Sequence, residues 1–343
     1  MPMETRKLGR SGTVLTKLGL GCAPLGDLFT CISDEQALQI QQVAWDSGVR
    51  YYDTAPFYGY GKSEHRIGQF LRQQPRSEFQ ISTKVGRVFQ ATRNLDTFDQ
   101  GAWAGGLPFE FIYDYSYDGI MRSYEDSLQR LGLNSVDLLL IHDLDFWFNT
   151  TEARVNAWLA QLFTSGWRAL DELRSSGQIK GVGAGINELG MIPRFLDMVD
   201  LDFFTVALPY TLLDQDVLDG EFQRCQENGV GVVIGAVFAS GILATGPVEG
   251  AHYKYELATA EILQKTRQIE AVCQRHHTPL AAAAMQFPLA HPIVAAIIPG
   301  ALEPEHVQSN VEHLEHDIPA DLWVELKAEG LLREDAPTPA GIQ

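Results

Sequence analysis

The chain has 343 residues, of which 45% are hydrophobic, enough to bury a large core and to exclude a disordered chain. Its 26 Lys and Arg against 44 Asp and Glu leave a formal charge of −18, which argues against a nucleic-acid binder and against adsorption to anionic lipid. The four cysteines form no CxxC pair and are too sparse for a disulfide scaffold. With no apolar leader in the first residues, they point to a reducing, cytoplasmic setting. The uncharged stretch 229–248 holds five glycines and Pro247, so it reads as a buried strand entering a loop, not a membrane span.

From the N-terminus, residues 8–20 predict a small hairpin around Gly9 and Gly12, then a first buried strand. Residues 34–47 predict a helix. Ser33 and Gln36 have capping-box spacing, Ala37, Ile40, Val43 and Ala44 share one face, and Gly48 ends it. Strands are expected at 49–53, 79–85, 136–141, 179–184, 203–206, 230–236 and 294–298. Helices are expected at 62–72, 116–131, 189–199, 216–228, 255–276, 304–314 and 320–329, with a helix end at 167–176. Eight strands, nearly all followed by a helix, mean a parallel sheet covered on both faces. Eight such units close into a single (β/α)8 TIM barrel, here with a short N-terminal hairpin. The rival, an open doubly wound sheet, wants GxGxxG after its first strand. The chain instead reads Gly19-Leu20-Gly21-Cys22-Ala23-Pro24. One domain is expected over 1–334, with a loose tail at 335–343.

In such barrels the chemistry sits at the carboxyl ends of the strands. The second predicted strand ends in Asp53, the third in Ser82-Thr83-Lys84, the fourth in Ile141-His142, and Tyr58 lies in the loop just past Asp53. Each alone has a structural reading: a helix cap, a paired lysine, a packed histidine, a packed tyrosine. Together they form a coherent set. A phenol can exchange a proton with a carbonyl or carbinol oxygen, but its pKa near 10 is high for neutral pH. A neighbouring ammonium, itself held by a carboxylate, is expected to lower it, and an imidazole can orient the substrate oxygen.

Tyr52-Asp53-Thr54-Ala55-Pro56-Phe57-Tyr58-Gly59, Ile81-Ser82-Thr83-Lys84, Ser127-Leu128-Gln129-Arg130-Leu131-Gly132 and Ile141-His142 resemble the signatures of the aldo-keto reductases. The resemblance implies a barrel enzyme using a nicotinamide cofactor. Tyr58 is then general acid/base, Lys84 and Asp53 tune it, and His142 orients the substrate. It also implies cofactor contacts at Gly21, Asp53 and Asn310. The family's carboxamide-binding Ser-Asn pair appears as Gly185-Ile186, with Asn187 one step on. The Gln after strand six is replaced by Ala207, and the Tyr that stacks on the nicotinamide is missing, with Phe238 nearby.

A phosphate site is expected in the loops after strands seven and eight, through Ser240 and Gly241 and through the helix start after Gly300. Members preferring NADPH carry a Lys just after the Ile-Pro and an Arg six residues later. Here these positions are Gly300 and His306, with Glu303 and Glu305 between them, so NAD is expected over NADP. The departures, with the segments 114–118 and 182–188, resemble the branch of sugar 1-dehydrogenases that also includes pyridoxal 4-dehydrogenase. The expected reaction is oxidation of an aldose at C1 to a lactone. Alternatives are pyridoxal oxidation, general aldehyde or ketone reduction, and a non-catalytic nucleotide-binding subunit. Asp143 and Asp145 are expected to meet substrate hydroxyls, and Trp103, Trp147 and Phe148 to wall the pocket. The pairs His276-His277 and His313/His316 fall on predicted outer helices, so no metal is expected. The expected partner is a small-molecule substrate only, with the chain a monomer or homodimer.

Overall fold

The computed structural model describes residues 3–340. One parallel sheet holds eight strands, β1 (Leu20–Gly21), β2 (Tyr51–Asp53), β3 (Gln80–Val85), β4 (Leu138–His142), β5 (Gly181–Ile186), β6 (Phe203–Val206), β7 (Gly231–Ile234) and β8 (Val294–Ile297), each paired with its successor. The sheet closes on itself. Gly19 N donates to the Ile297 carbonyl at 2.9 Å and Gly21 N to the Pro299 carbonyl at 3.0 Å. The barrel read from the alternation of elements is therefore the fold.

Closure dictates small residues along the seam. A Cβ on Gly21 would lie 2.5 Å from the Ile298 carbonyl oxygen, and one on Gly300 would lie 2.7 Å from Pro24 Cγ. Both were expected at the cofactor; the seam backbone already requires glycine at 21, while at 300 the space is taken by the Pro24 ring. Inside, Leu8, Leu15, Tyr51, Leu138, Leu140, Phe203, Val233, Ala295, Ala296 and Ile298 form one apolar cluster. Leu8 and Leu15 come from the N-terminal hairpin, Thr5–Leu8 against Thr13–Thr16, which plugs the amino end of the barrel. Gly9 makes this possible: it has φ +46, and a Cβ there would stand 2.3 Å from Gly231 N. With that end sealed, only the carboxyl end is free for a site.

The helix signals hold where capping chemistry sets them. Ser33 Oγ accepts from Gln36 N at 3.0 Å at the start of Asp34–Asp46, and Ser116 Oγ accepts from Gly119 N at 3.1 Å ahead of Tyr117–Leu131. Elsewhere the expectation needs correction. The helix expected over 255–276 begins at Ala260, where Thr259 caps it. Residues before it form a small hairpin, His252–Tyr253 with Glu256–Leu257, turned by Lys254 and Tyr255 at positive φ. Gly220, at φ +112, divides 216–228 into a short 3-10 turn, Asp216–Leu218, and the helix Glu221–Glu227. The helix ending at Ser175 starts far upstream, at Glu152, and passes through a π-helical turn, Leu162–Gly166. Helix Leu280–Leu289 was not anticipated. It is apolar on nearly every face and almost wholly buried, so it shows no amphipathic period. A further hairpin, Arg87–Ala91 with Phe109–Tyr113, stands on the barrel mouth after β3.

Of the expected tail at 335–343, residues 341–343 lie outside the described residues, and Ala336 is buried. Among the described residues no helix is long and apolar enough to cross a membrane.

Gly21→Ala is expected to destabilise the protein by about 2–4 kcal/mol, because the new methyl must force the seam apart. Urea unfolding checks it, and a change below about 0.5 kcal/mol would contradict the seam argument.

Candidate active site

Strand register brings the charged groups to one rim. Asp53 closes β2 opposite Ser82, Lys84 lies on β3 opposite Leu140, and His142 closes β4 opposite Gly185. All three are buried. Lys84 Nζ donates to Asp53 Oδ2 and to the Thr54 carbonyl, both at 2.8 Å, while Ser82 Oγ donates to Asp53 Oδ1 at 2.6 Å. The loop carrying Tyr58 is held from below. Gly59, at φ +63, sits so close to Gly26 that a Cβ would be 2.4 Å from its carbonyl oxygen. The Tyr58 ring then lies 4.6 Å from Lys84 Nζ, 5.7 Å edge-on from the His142 ring and 5.5 Å from Trp103. The four residues named from strand ends and loop position thus converge.

The electrostatics differ in one respect from expectation. In the free protein Tyr58 is not acidified. Loss of hydration pushes its phenol well above the ordinary value, and the carboxylates of Asp53 and Asp143 add to the shift. The reason is that Lys84 is already paired with Asp53, so its ammonium presents little net charge to the phenol. His142 moves the other way. Burial, then the cations Arg87 and Lys84, hold it well below the usual imidazole range, so it is neutral at pH 7.

The two acidic residues after His142 separate. Asp143 reaches the imidazole, with Oδ2 3.1 Å from His142 Nε2. Asp145, expected at substrate hydroxyls, is instead fully buried and belongs to the scaffold. It accepts from Phe148 N at 3.2 Å as the cap of Phe146–Asn149, and from Asn187 N at 3.2 Å and Asn187 Nδ2 at 2.9 Å. Burial and the neighbouring Asp143 push its carboxyl up to about 7, against the Asn187 amide. Asn187 Nδ2 donates to Asp143 Oδ1 as well, at 3.0 Å. Its amide nitrogen is therefore engaged, and only its Oδ1 is left for a ligand.

The expected phosphate loops lie on the same rim. After β7 the backbone runs through positive φ at Ala236, Ala239, Ser240 and Gly241, with Phe238 half-buried between. After β8, helix Pro304–Glu315 starts with Glu303 at its N-cap and no side-chain cap bond; Pro304 carries no N–H and His306 N donates to the Glu303 carbonyl at 3.1 Å, which leaves Glu305 N in the first turn for an anion. Asn310, buried on that helix, has no side-chain hydrogen bond among the described residues. These features fit a dinucleotide: an uncapped helix start for its phosphate and an unpaired amide for its base. His306 is exposed and its Nδ1 accepts from Leu302 N at 3.3 Å.

Aromatic rings form the walls. Phe57 meets Trp103, Phe111, His142 and Phe148 within 6.3 Å, and Trp103 packs against Tyr58 at a tilt of 35°. Trp147 and Phe29, both exposed, meet Tyr255 at 6.4 Å. Phe57, Tyr255 and Arg87 were not foreseen. Phe57 carries a signal, its place beside Tyr58. Tyr255 falls in the segment 255–276 whose pattern predicts a helix, which conceals it.

Comparison with known proteins agrees with this geometry. Residues 17–328 match the model of the aldo/keto reductase family. The chain is 44% identical over 339 residues to pyridoxal 4-dehydrogenase of Microbacterium luteolum, covering 96% of this chain and 98% of that one. It is 37% identical over 335 residues to D-threo-aldose 1-dehydrogenase of a Pseudomonas species, covering 96% and 97%. The solved aldo-keto reductase AKR11C1 from Bacillus halodurans, in its holo form, superposes with a TM-score of 0.74 at 25% identity, covering 98% of each chain.

Tyr58→Phe is expected to lower kcat at least about 100-fold while dinucleotide binding, read by fluorescence quenching, stays within about threefold. Near-normal turnover would remove the phenol from the chemistry. Lys84→Met is expected to cost stability as well, about 3–5 kcal/mol in urea unfolding, because buried Asp53 loses its ion-pair partner and keeps only the Ser82 hydrogen bond.

Proposed function

The chain belongs to the aldo/keto reductase family, and from that premise we propose that it oxidises the anomeric carbinol of a cyclic hemiacetal to a lactone, with NAD as acceptor. It is a nicotinamide-dependent oxidoreductase. The observation that carries the proposal is the convergence of Tyr58, Lys84, Asp53 and His142 at the one open end of the barrel, under aromatic walls. The names of the two relatives refer to an aldose and to pyridoxal. Both compounds close to a ring hemiacetal by adding their own hydroxyl to the aldehyde, so one reaction class covers them.

The bound nicotinamide supplies the hydride acceptor. The residues proposed to hold the dinucleotide are Ser240 and Gly241, the start of helix Pro304–Glu315, Asn310 and Asn187. Neutral His142 orients the substrate oxygen. Tyr58 takes the hydroxyl proton in oxidation and returns it in reduction. Because its resting phenol is held well above 10, the base form is scarce at neutral pH. Lys84, paired with Asp53, lies 4.6 Å from the ring and fixes its position without offsetting that cost.

NAD is favoured over NADP by the second loop. Glu303, Glu305 and His306 are exposed there, and no Lys or Arg stands between Gly300 and His306. A 2′-phosphate would meet two carboxylates and no fixed cation. Gly300 cannot become a lysine without displacing Pro24. Among substrates, the ring density around Tyr58 favours a flat aromatic hemiacetal of the pyridoxal type as a second reading beside the aldose.

A panel of L-fucose, L-galactose, D-arabinose and pyridoxal, each with NAD and with NADP and read at 340 nm, tests the proposal. Turnover is expected with at least one of the four, and kcat/KM for NAD is expected to exceed that for NADP at least about tenfold. Equal rates with NADP would overturn the cofactor assignment. The oxidative rate is expected to rise with pH from 7 to 10, since deprotonated Tyr58 becomes more abundant toward its raised pKa, while the reductive rate does not rise. A flat oxidative profile would contradict Tyr58 as the base.

A further inference from the structure

We propose that Arg87 is a positioning residue of the reaction, acting through Asp143 to fix the imidazole of His142 at the reacting oxygen. The proposal rests on His142 as the substrate-orienting group.

Arg87 follows β3 at the root of the hairpin over the barrel mouth, and it is buried. Its Nη1 stands 3.1 Å from Asp143 Oδ2, the same oxygen that lies 3.1 Å from His142 Nε2. One carboxylate oxygen therefore joins the guanidinium to the imidazole. The other oxygen is held by Asn187 Nδ2. Asp143 can turn back onto its neighbour because its backbone sits at φ +47, a conformation costly for a residue with a Cβ. The guanidinium is enclosed by rings. Its carbon lies 4.3 Å from the Phe57 centroid, 5.1 Å from Phe148, 5.2 Å from Tyr113 and 5.4 Å from Phe111.

This is an expensive way to hold a hairpin. Arg87 Nε and Nη1 are buried with no aligned hydrogen bond among the described residues, and Nη2 makes only a 3.5 Å contact with Tyr113 Oη. A buried, half-satisfied cation destabilises, and an apolar side chain of similar volume would pack the same ring cage at lower cost. What such a side chain could not do is hold the Asp143 carboxylate in place. Phe57 packs on both Arg87 and His142, so cage and imidazole form one contiguous unit.

The charged and titratable groups around His142 are Lys84 from β3, Tyr58 from its loop, Arg87 from the hairpin, Asp143 from its own loop, and Tyr115, whose hydroxyl donates to the His142 carbonyl at 3.0 Å. Among these, the cations Arg87 and Lys84 oppose protonation of the ring. Removing Arg87 takes away one of them, so His142 should gain a proton at higher pH.

The test uses the full-length protein and its Arg87→Met, Arg87→Lys and Asp143→Asn variants. Imidazole carbon and nitrogen NMR shifts of His142 are followed over pH in the cofactor-free protein, and kcat and KM are measured on the best substrate. Expected in Arg87→Met is a His142 midpoint raised at least about tenfold in proton affinity, a kcat down at least about tenfold and a KM within about threefold. Arg87→Lys is expected to restore the midpoint but only part of kcat, since an ammonium replaces the charge and not the planar fork. Asp143→Asn keeps the guanidinium, and is expected to lower kcat and to change the Nε2 shift that reports the ring's partner. An Arg87→Met midpoint and kcat within twofold of wild type would overturn the proposal. If Arg87→Met does not fold, unchanged His142 shifts and kcat in Asp143→Asn would overturn it alone. The NMR titration needs no substrate, so failure of the hemiacetal assignment leaves this measurement standing.

Discussion

The site is built on one buried ion pair. Lys84 and Asp53 meet at 2.8 Å with both side chains almost wholly buried. Desolvating two ions costs several kcal/mol each, and only a close pair with its remaining sites hydrogen-bonded recovers that. Ser82 Oγ and the Thr54 carbonyl complete the set. The pair fixes the floor on which the Tyr58 ring lies, and it limits how strongly the ammonium can act on the phenol. Acidifying Tyr58 therefore needs a change in its surroundings beyond what the free protein holds.

The barrel decides where that floor can be. One end is filled by Leu8 and Leu15 of the hairpin, with Gly9 wedged against Gly231. The seam between first and last strands is closed by backbone contacts that admit only glycine at position 21. Strand register then sets Asp53, Lys84 and His142 on neighbouring strands at the free rim. Stability and site geometry share one cause, because a slipped register would carry these side chains to the opposite face of the sheet.

Strain gathers at the same rim. Asp143, Ala236, Ala239, Ser240 and Tyr255 all adopt positive φ without being glycine. Conformations of this kind cost about 1–3 kcal/mol each and persist where the surroundings over-determine them. Here Asp143 is held by Arg87 and Asn187, and Ser240 Oγ accepts from Tyr255 N at 2.9 Å, linking the loop after β7 to the hairpin at the mouth.

The amino-acid sequence by itself determined the barrel, most of its helices and the four polar residues that converge at its free rim. These depend on local signals: apolar runs, caps such as Ser33 and Ser116, stops such as Gly48 and Gly132, and polar residues at strand ends. Tertiary structure decided the rest. Helix Leu280–Leu289 is buried on almost every side and carries no periodic mark. Asp143 and Asp145 stand two residues apart with the same chemistry. Only folding sends one to the imidazole and the other into a helix cap. Arg87 reads as an ordinary loop cation until the hairpin Arg87–Ala91 with Phe109–Tyr113 and the segment at Phe148 enclose it. The charge state of Tyr58 is likewise a property of the assembled site, since desolvation and the pairing of Lys84 arise only when distant segments meet, and no local pattern encodes them.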